Sequence, residues 1–306
     1  MKQTWRPYGP VVLIAGTPVG GGQDRVARAL AASLGPLLGV TIDVVNVPGR
    51  GGGNGWDRLA GAPGDSRLLS ISSPTLVTNR MLGAAEIDHR SLNAIALLCT
   101  EHLGFAVAEG SSIIDGTDLI GRLRSKEAFV TAFATAAGNI NHIALARVAA
   151  LAGRDAASLG IRIFDSAPEA VADLIVGNSD LAVVSAASVV KEVEEGAVRL
   201  VAVSSPVRLQ GSLQMVPTWE EQAVPCTIGT WRGVVAPPGL TPNQIENWED
   251  AIMAGASSSE WREALERNLW TATILGAAAT GAFHDRQADL LSVALTDLGL
   301  ALAARG

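Results

Sequence analysis

VVLIAGTPVGGGQDRVARALAASLGPLLGVTIDVVNV, residues 11–47, packs a strand, a glycine-rich turn, a helix and a second strand into one stretch. Residues 11–15 (VVLIA) form a short apolar run ended by Gly16, the pattern of a buried strand. Over 24–38 the apolar positions Val26, Leu30, Leu34, Leu37 and Leu38 recur at helical spacing. Residues 41–47 (TIDVVNV) read as a strand again and are closed by PGRGGGNG (48–55). Strand, helix and strand in succession make the unit of a parallel sheet, because parallel neighbours need a long crossover.

The alternation continues. A short helix is predicted over 56–60 and strands over 67–72, 93–100 and 103–108. A helix over 118–126, a strand over 130–135 and a helix over 142–152 follow. Next come strands at 161–164, 181–184, 200–203 and 231–236, with helices over 169–176 and through Glu194. From Pro242 the chain reads helical, interrupted by a last strand in WTATILGA (270–277). One parallel sheet of roughly ten strands is unusually wide. Two α/β lobes are therefore expected, although no linker and no internal repeat marks a boundary.

Composition narrows the function. The 306 residues carry a net charge of -7, are 48% hydrophobic and 17% charged, and include one Tyr and five Phe, so the expected core is Ala, Val, Leu and Ile. The acidic balance argues against nucleic acid, which needs clustered Lys and Arg. GRLRSK (121–126) reads as a solvated helix face and EVEEG (192–196) as a solvated helix end. No run of apolar residues is long enough to span a membrane. MKQTWRPYGP has no apolar signal core, so either the protein stays in the cytoplasm or its signal has been removed and a Met added. Cys99 and Cys226 can form at most one bridge.

Four strand ends share a small, polar or glycine-rich character and lead into helices: TPVGGGQD (17–24), SSPTLVTN (72–79), AAGNINH (136–142) and DSAP (165–168). Ligands of open α/β sheets bind beyond the carboxyl ends of strands. Helix N-termini there offer free N–H groups and a positive dipole end, which suit an anion. Plain turn glycines, with Asp24 as a helix N-cap and His142, Asn139 and Asn141 as turn formers, are the structural alternative. Its recurrence at four strand ends favours a ligand. Nucleotide motifs are missing: there is no GxxxxGK[ST], and GxGxxG from Gly20 fails at Arg25. There is no GxSxG, no HExxH and no CxxC, and His89, His102, His142 and His284 are scattered. No catalytic residue, metal site or cofactor is expected.

Residues 11–55 resemble the start of the Bug, or TctC, family, the extracytoplasmic solute receptors of tripartite tricarboxylate transporters. The resemblance rests on Pro18, Gly20, Gly21, Asp24, Leu38, Gly39, Val44, Val45, Asn46, Pro48, Gly49, Gly51 and Gly52 in order. It extends through GNINHIALARV, EAVADLIVGNSDLAVVSAASVV, RLVAVSSPVR, VPTWEEQAVP and WRGVVAPPGLTP, and so covers nearly the whole chain. No single motif is very specific; the ordered set is.

The resemblance implies a two-lobed, periplasmic-binding-protein-like clamshell, each lobe a mostly parallel sheet flanked by helices. Lobe one is expected at 1–103 plus 229–306 and lobe two at 104–228, with a ligand cleft between them and crossing strands near 103–108 and 229–234. It implies a periplasmic monomer that passes a small carboxylate to the membrane components of a tripartite tricarboxylate transporter. A cytoplasmic enzyme with His142 as base, or a cytoplasmic carboxylate sensor, is the alternative on the same scaffold.

Site residues follow from the same likeness. Pro18, Gly20, Gly21, Gly22, Gln23 and Asp24 form the first loop, with Gly21 and Gly22 as N–H donors and Asp24 holding the loop by capping. Ser73, Thr75 and Thr78 form the second, and Gly138, Asn139 and His142 the third. Ser166 and Ala167 stand where members often carry a glycine pair after a Tyr-Lys. Here Asp165 replaces the cation, which disfavours a ligand with two fully gripped charges. Asp165 points away or receives an amine or hydroxyl of the ligand. Ser185 opens SAASVV, a departure from bulkier or more polar residues. Trp231 either lines the cleft or is a core residue. Cys99 and Cys226 lie near the crossings; buried free thiols are the default and a bridge the alternative.

Overall fold

Short polar residues and glycines set where the helices of this chain start and stop. Asp115, Asn139, Ser166, Thr241 and Ser258 each accept a backbone N–H from the first turn of a helix, and Gly39 ends another in the left-handed conformation with its N–H on Gly35 O. The computed structural model describes residues 6–125, 127–134, 138–164 and 166–300.

In chain order the elements are β1 (Val11–Ala15), α1 (Gly22–Leu38), β2 (Ile42–Asn46), α2 (Gly53–Ala60), β3 (Leu68–Ser72), α3 (Thr75–Met81) and β4 (Asn93–Ala108). Then come α4 (Gly116–Arg124), β5 (Val130–Ala134), α5 (Ile140–Leu151), β6 (Gly160–Phe164), α6 (Ala167–Ile175), β7 (Leu181–Ser185), α7 (Val190–Glu194) and β8 (Val198–Val203). The chain closes with β9 (Gly229–Ala236), α8 (Pro242–Ala256), α9 (Ser259–Arg267), β10 (Trp270–Leu275) and α10 (Ala277–Asp297).

Two expectations are corrected. The strands predicted over 93–100 and 103–108 are one 16-residue strand, β4. Glu101 and His102 interrupt its apolar pattern but are themselves buried, so the strand runs through them. SSPTLVTN is not a loop throughout: α3 begins at Thr75 and is only 7 residues long, too short to show a helical period.

The chain divides into two compact units. One comprises the described residues through Thr100 together with Trp231–Val293; the other comprises Glu101–Thr230 and Ala294–Leu300. In the first, β2, β1 and β3 are parallel neighbours, and β9 joins β3 antiparallel with Val234 opposite Ile71. The strand order is β2-β1-β3-β9-β4, with β10 also on β4. Val26, Leu30 and Leu34 of α1 pack with Leu13, Trp248, Ile252 and Trp261 in one core. A side chain such as Leu30, fully buried, contributes about 2 kcal/mol. Trp248 Nε1 donates to Ser66 O at 2.8 Å, so this tryptophan enters the aliphatic core with its N–H satisfied.

In the second unit β7 and β6 flank β5 in parallel, while β4 runs antiparallel to both β7 and β8. Each sheet is thus mixed: antiparallel partners complete a parallel centre. Phe105 meets Trp219 edge-to-face at 4.9 Å in this core. Cys99 and Cys226 are both buried free thiols, and burial pushes the Cys226 thiol up to about 12.

Burial also acts on two histidines. It pulls His102 down to about 4, only partly countered by a hydrogen bond with the Ser204 backbone and by Glu101. It pulls His284 to about 4 as well, helped by His89 and opposed by Asp285. The ordinary imidazole value is 6.5, so between about 4 and 6.5 the unfolded chain binds protons that the folded chain does not. Stability is therefore expected to rise with pH across that window and to level off above it. NMR titration checks the cause: both imidazoles remain neutral down to about pH 4, and protonation of either near 6.5 contradicts it.

Candidate functional site

Three loops of the first unit converge on the start of α1. Pro18 O accepts the N–H of Gly21 at 3.0 Å, closing a tight turn in which Gly20 takes φ +82°. Gly21, not Asp24, is the N-cap of α1, and it lacks a capping side chain. Asp24 lies in the first turn, where its carboxylate accepts from Gly20 N at 2.8 Å, Arg28 Nε at 3.0 Å and Asn46 Nδ2 at 2.8 Å. It does hold the loop, but from inside the helix. Burial alone raises the Asp24 carboxyl; hydrogen bonds from Arg28, Gly20 and Asn46 and the Arg28 charge outweigh it and hold it below its usual value.

Gln23 is the second tie. Its Oε1 accepts Gly16 N–H at 2.8 Å and its Nε2 donates to Ser73 Oγ at 3.3 Å. Ser73 Oγ pairs with Thr75 Oγ1 at 2.8 Å, and Thr75 Oγ1 donates to Gly51 O at 2.6 Å. One chain of hydrogen bonds so joins the β1–α1, β3–α3 and β2–α2 connections. The strands must approach closely for this: a Cβ on Gly16 would collide with Gly52 Cα, and one on Gly52 would lie 2.8 Å from Gln23 Nε2.

The roles expected of this loop are redistributed. Gly21 N–H is spent on Pro18, so it is not the donor predicted. The Gly22 and Gln23 N–H groups, at the head of a 17-residue helix, have no acceptor among the described residues. Gln23 and Asp24 are each 1% exposed, and their side chains are bonded within the loop. Pro18 and Gly20 frame the turn. Thr78 is buried on α3 with Oγ1 unpartnered. Trp231 is 2% exposed; it stacks on His284 at 4.8 Å and meets Phe283 edge-on, which is the packing of a core residue. Two cavities, of about 640 and 570 Å³, lie along the α3–β4 connection and α10 and contain none of the candidate residues.

The second unit gathers its candidates at the carboxyl ends of β5, β6 and β7. Asn139 caps α5 by accepting His142 N at 3.0 Å. Gly138 N–H donates to His142 Nδ1 at 3.1 Å, so the ring proton sits on Nε2. Burial lowers the His142 value, and the ring stacks on Phe133 at 5.2 Å. Ser166 caps α6 and donates from Oγ to Glu169 at 2.9 Å; Ala167 opens the helix. Asp165 lies outside the described residues. Ser185, the last residue of β7, is partly exposed and donates to Glu101 Oε1 at 2.7 Å.

Sequence reading missed Thr17, Asn46 and Glu101 as parts of these sites. Thr17 Oγ1 accepts Asp24 N at 3.2 Å, and Asn46 Nδ2 also donates to Thr17 O at 2.8 Å. Their signal was present in TPVGGGQD and in the Asn46 of the opening match. Glu101 showed only as an acid inside an apolar run.

Replacing Gln23 by Ala leaves the buried Gly16 N–H without its acceptor, and replacing Asp24 by Ala frees Gly20 N–H and Arg28, so the changes are expected to cost about 2–3 and about 1–2 kcal/mol. Because both side chains hold one turn, the double variant is expected to lose less than the sum. Urea unfolding measures this; single losses below about 0.5 kcal/mol contradict the role given to the network.

The chain matches the profile of the tripartite tricarboxylate transporter family receptor, TctC, over residues 26–278. It is 28% identical over 288 residues, 93% of this chain and 82% of the other, to a UPF0065 protein in the tcbD-tcbE intergenic region of Pseudomonas sp. strain P51. A TctC solute-binding protein from Polaromonas superposes with a TM-score of 0.78 at 25% identity, over 95% of this chain and 99% of that one. An R. palustris protein solved with adipate gives a TM-score of 0.85 at 19% identity, over 96% and 99%. The protein belongs to the tripartite tricarboxylate transporter receptor family, whose members are periplasmic solute-binding receptors and not enzymes.

Proposed function

We propose that the protein captures a small organic carboxylate in the periplasm and delivers it to the membrane components of a tripartite tricarboxylate transporter. The observation that carries this reading is the start of α1. Among the described residues its Gly22 and Gln23 N–H groups have no acceptor, whereas the Gly20, Gly21 and Asp24 N–H groups beside them are spent on Asp24, Pro18 and Thr17. An anion is the complement of such a helix end. The acid inside the same turn, Asp24, is offset by Arg28 at 2.9 Å, so it does not repel the incoming charge. The adipate held by the R. palustris relative supports a carboxylate as the solute. In this reading the contacts offered by the second unit are Gly138, Asn139, His142, Ser166, Ala167 and Ser185.

Donors that are mainly backbone N–H groups grip one carboxylate without a cluster of basic side chains. The rest of the ligand is then selected by shape and neutral polar groups. A thermal-shift series with C4–C6 diacids, citrate, aspartate, glutamate and benzoate-type acids tests this. A binder at 100 times its Kd is expected to stabilise the fold by about 2.7 kcal/mol. The ligand is expected to be recovered unchanged after incubation. Methyl esters of the same acid should give no shift; an equal shift with the esters, or consumption of the acid, refutes the reading.

A further inference from the structure

The polarity of Ser185 points to a feature of the ligand beyond its carboxylate. A serine hydroxyl has one hydrogen to give and two lone pairs that accept. At Ser185 the hydrogen goes to Glu101 Oε1 at 2.7 Å. Glu101 is held 4% exposed within β4, so this hydrogen bond is shielded from water. The strand register fixes the pair: Leu103 lies opposite Ser185, and Glu101, two residues earlier in β4, has its side chain on the same face.

The other side of the Ser185 oxygen is unspent. No described residue donates to it, and the residue is partly exposed at the carboxyl end of β7. That end belongs to the edge that carries the other candidates. β7 runs parallel to β5, with Leu181 beside Thr131. Asn141 Nδ2 donates to Val183 O at 2.8 Å, pinning the start of α5 against the end of β7. A ligand at this edge therefore meets a serine oxygen that accepts and does not donate. A ligand carboxylate has no hydrogen to offer it; a hydroxyl or an ammonium group has.

We infer that Ser185, oriented by Glu101, makes the receptor prefer carboxylates that also carry a hydroxyl or ammonium group. The inference rests on the carboxylate reading proposed above and deepens it. Ser185 is the contact, and Glu101 is a positioning residue that acts through it. The same geometry disfavours a second carboxylate placed against Ser185.

Titration calorimetry on matched acids tests it: succinate against malate and aspartate, adipate against 2-hydroxyadipate and 2-aminoadipate, phenylacetate against mandelate. In whichever series binds, the hydroxy or amino acid is expected to bind at least about tenfold tighter than its unsubstituted partner, because the unsubstituted acid leaves a desolvated acceptor unpaired. Ser185→Ala removes that acceptor and should bring the ratio close to one. Glu101→Gln offers an amide N–H to Ser185, frees the hydroxyl hydrogen for the ligand, and should also shrink the ratio; Ser185→Ala keeps the test decisive if the Gln variant does not fold. Equal binding of the matched acids by the wild-type protein, or an undiminished ratio in Ser185→Ala, overturns the inference and leaves the carboxylate reading standing. Binding of no acid in any series overturns both.

Discussion

The amide of Gln23 spends both of its ends inside the protein, and the first unit's candidate edge depends on that. One end receives Gly16 N–H and the other reaches Ser73 Oγ. An amide is the side chain suited to this, since it offers an acceptor and a donor on one rigid plane. The bridge is possible only because the backbones of Gly16 and Gly52 approach closer than any Cβ permits. The glycines of the first loop and of PGRGGGNG are therefore one device. They bring loops from three strand ends together, and Gln23, Ser73 and Thr75 lock them with a chain of hydrogen bonds. A loop held in this way loses little conformational entropy when it receives a ligand.

The electrostatics of the same turn follow from its geometry. An acid in the first turn of a helix satisfies the helix dipole and ordinarily competes with an outside anion for it. Asp24 is instead turned back onto Gly20 N–H, flanked by Arg28 and held by Asn46 from the end of β2. Its charge is used to shape the turn and is compensated locally. What is left outward is neutral backbone with a positive bias. This explains how a chain of net charge -7 presents an anion-receptive helix end without a basic cluster.

Much of this was legible in residues 11–47, because a buried strand and an amphipathic helix each impose a period that composition does not hide. β1 falls where its apolar run places it, and α1 starts only two residues before the predicted 24. What stayed hidden shares one cause, the substitution of tertiary partners for local signals. α3 is too short for a period, and β4 continues through Glu101 and His102 because other parts of the fold bury them. The cap at Gly21 was invisible because Asp24, a better capping residue, is recruited elsewhere. Roles inside the glycine loop were not legible either: Asp24 reads as a cap and instead holds the turn from within the helix, and Gln23 is bonded at both ends of its amide to the protein. Trp231 carried no sequence mark to separate a lining residue from one stacked on His284.

The two edges differ in the kind of hydrogen bond they leave unspent, and that difference bears on how specificity is divided. At the start of α1 the groups left without a partner among the described residues are donors, Gly22 and Gln23 N–H. At the end of β7 the unspent group is an acceptor, because Ser185 has given its hydrogen to Glu101. Donors recognise any carboxylate and so contribute affinity that is common to a whole class of solutes. An acceptor with a committed hydrogen distinguishes members of that class, since it rewards a hydroxyl or ammonium group and penalises its absence. On the carboxylate reading proposed above, the glycine turn accordingly sets the class of ligand, whereas Ser185, committed to Glu101, sets the choice within it.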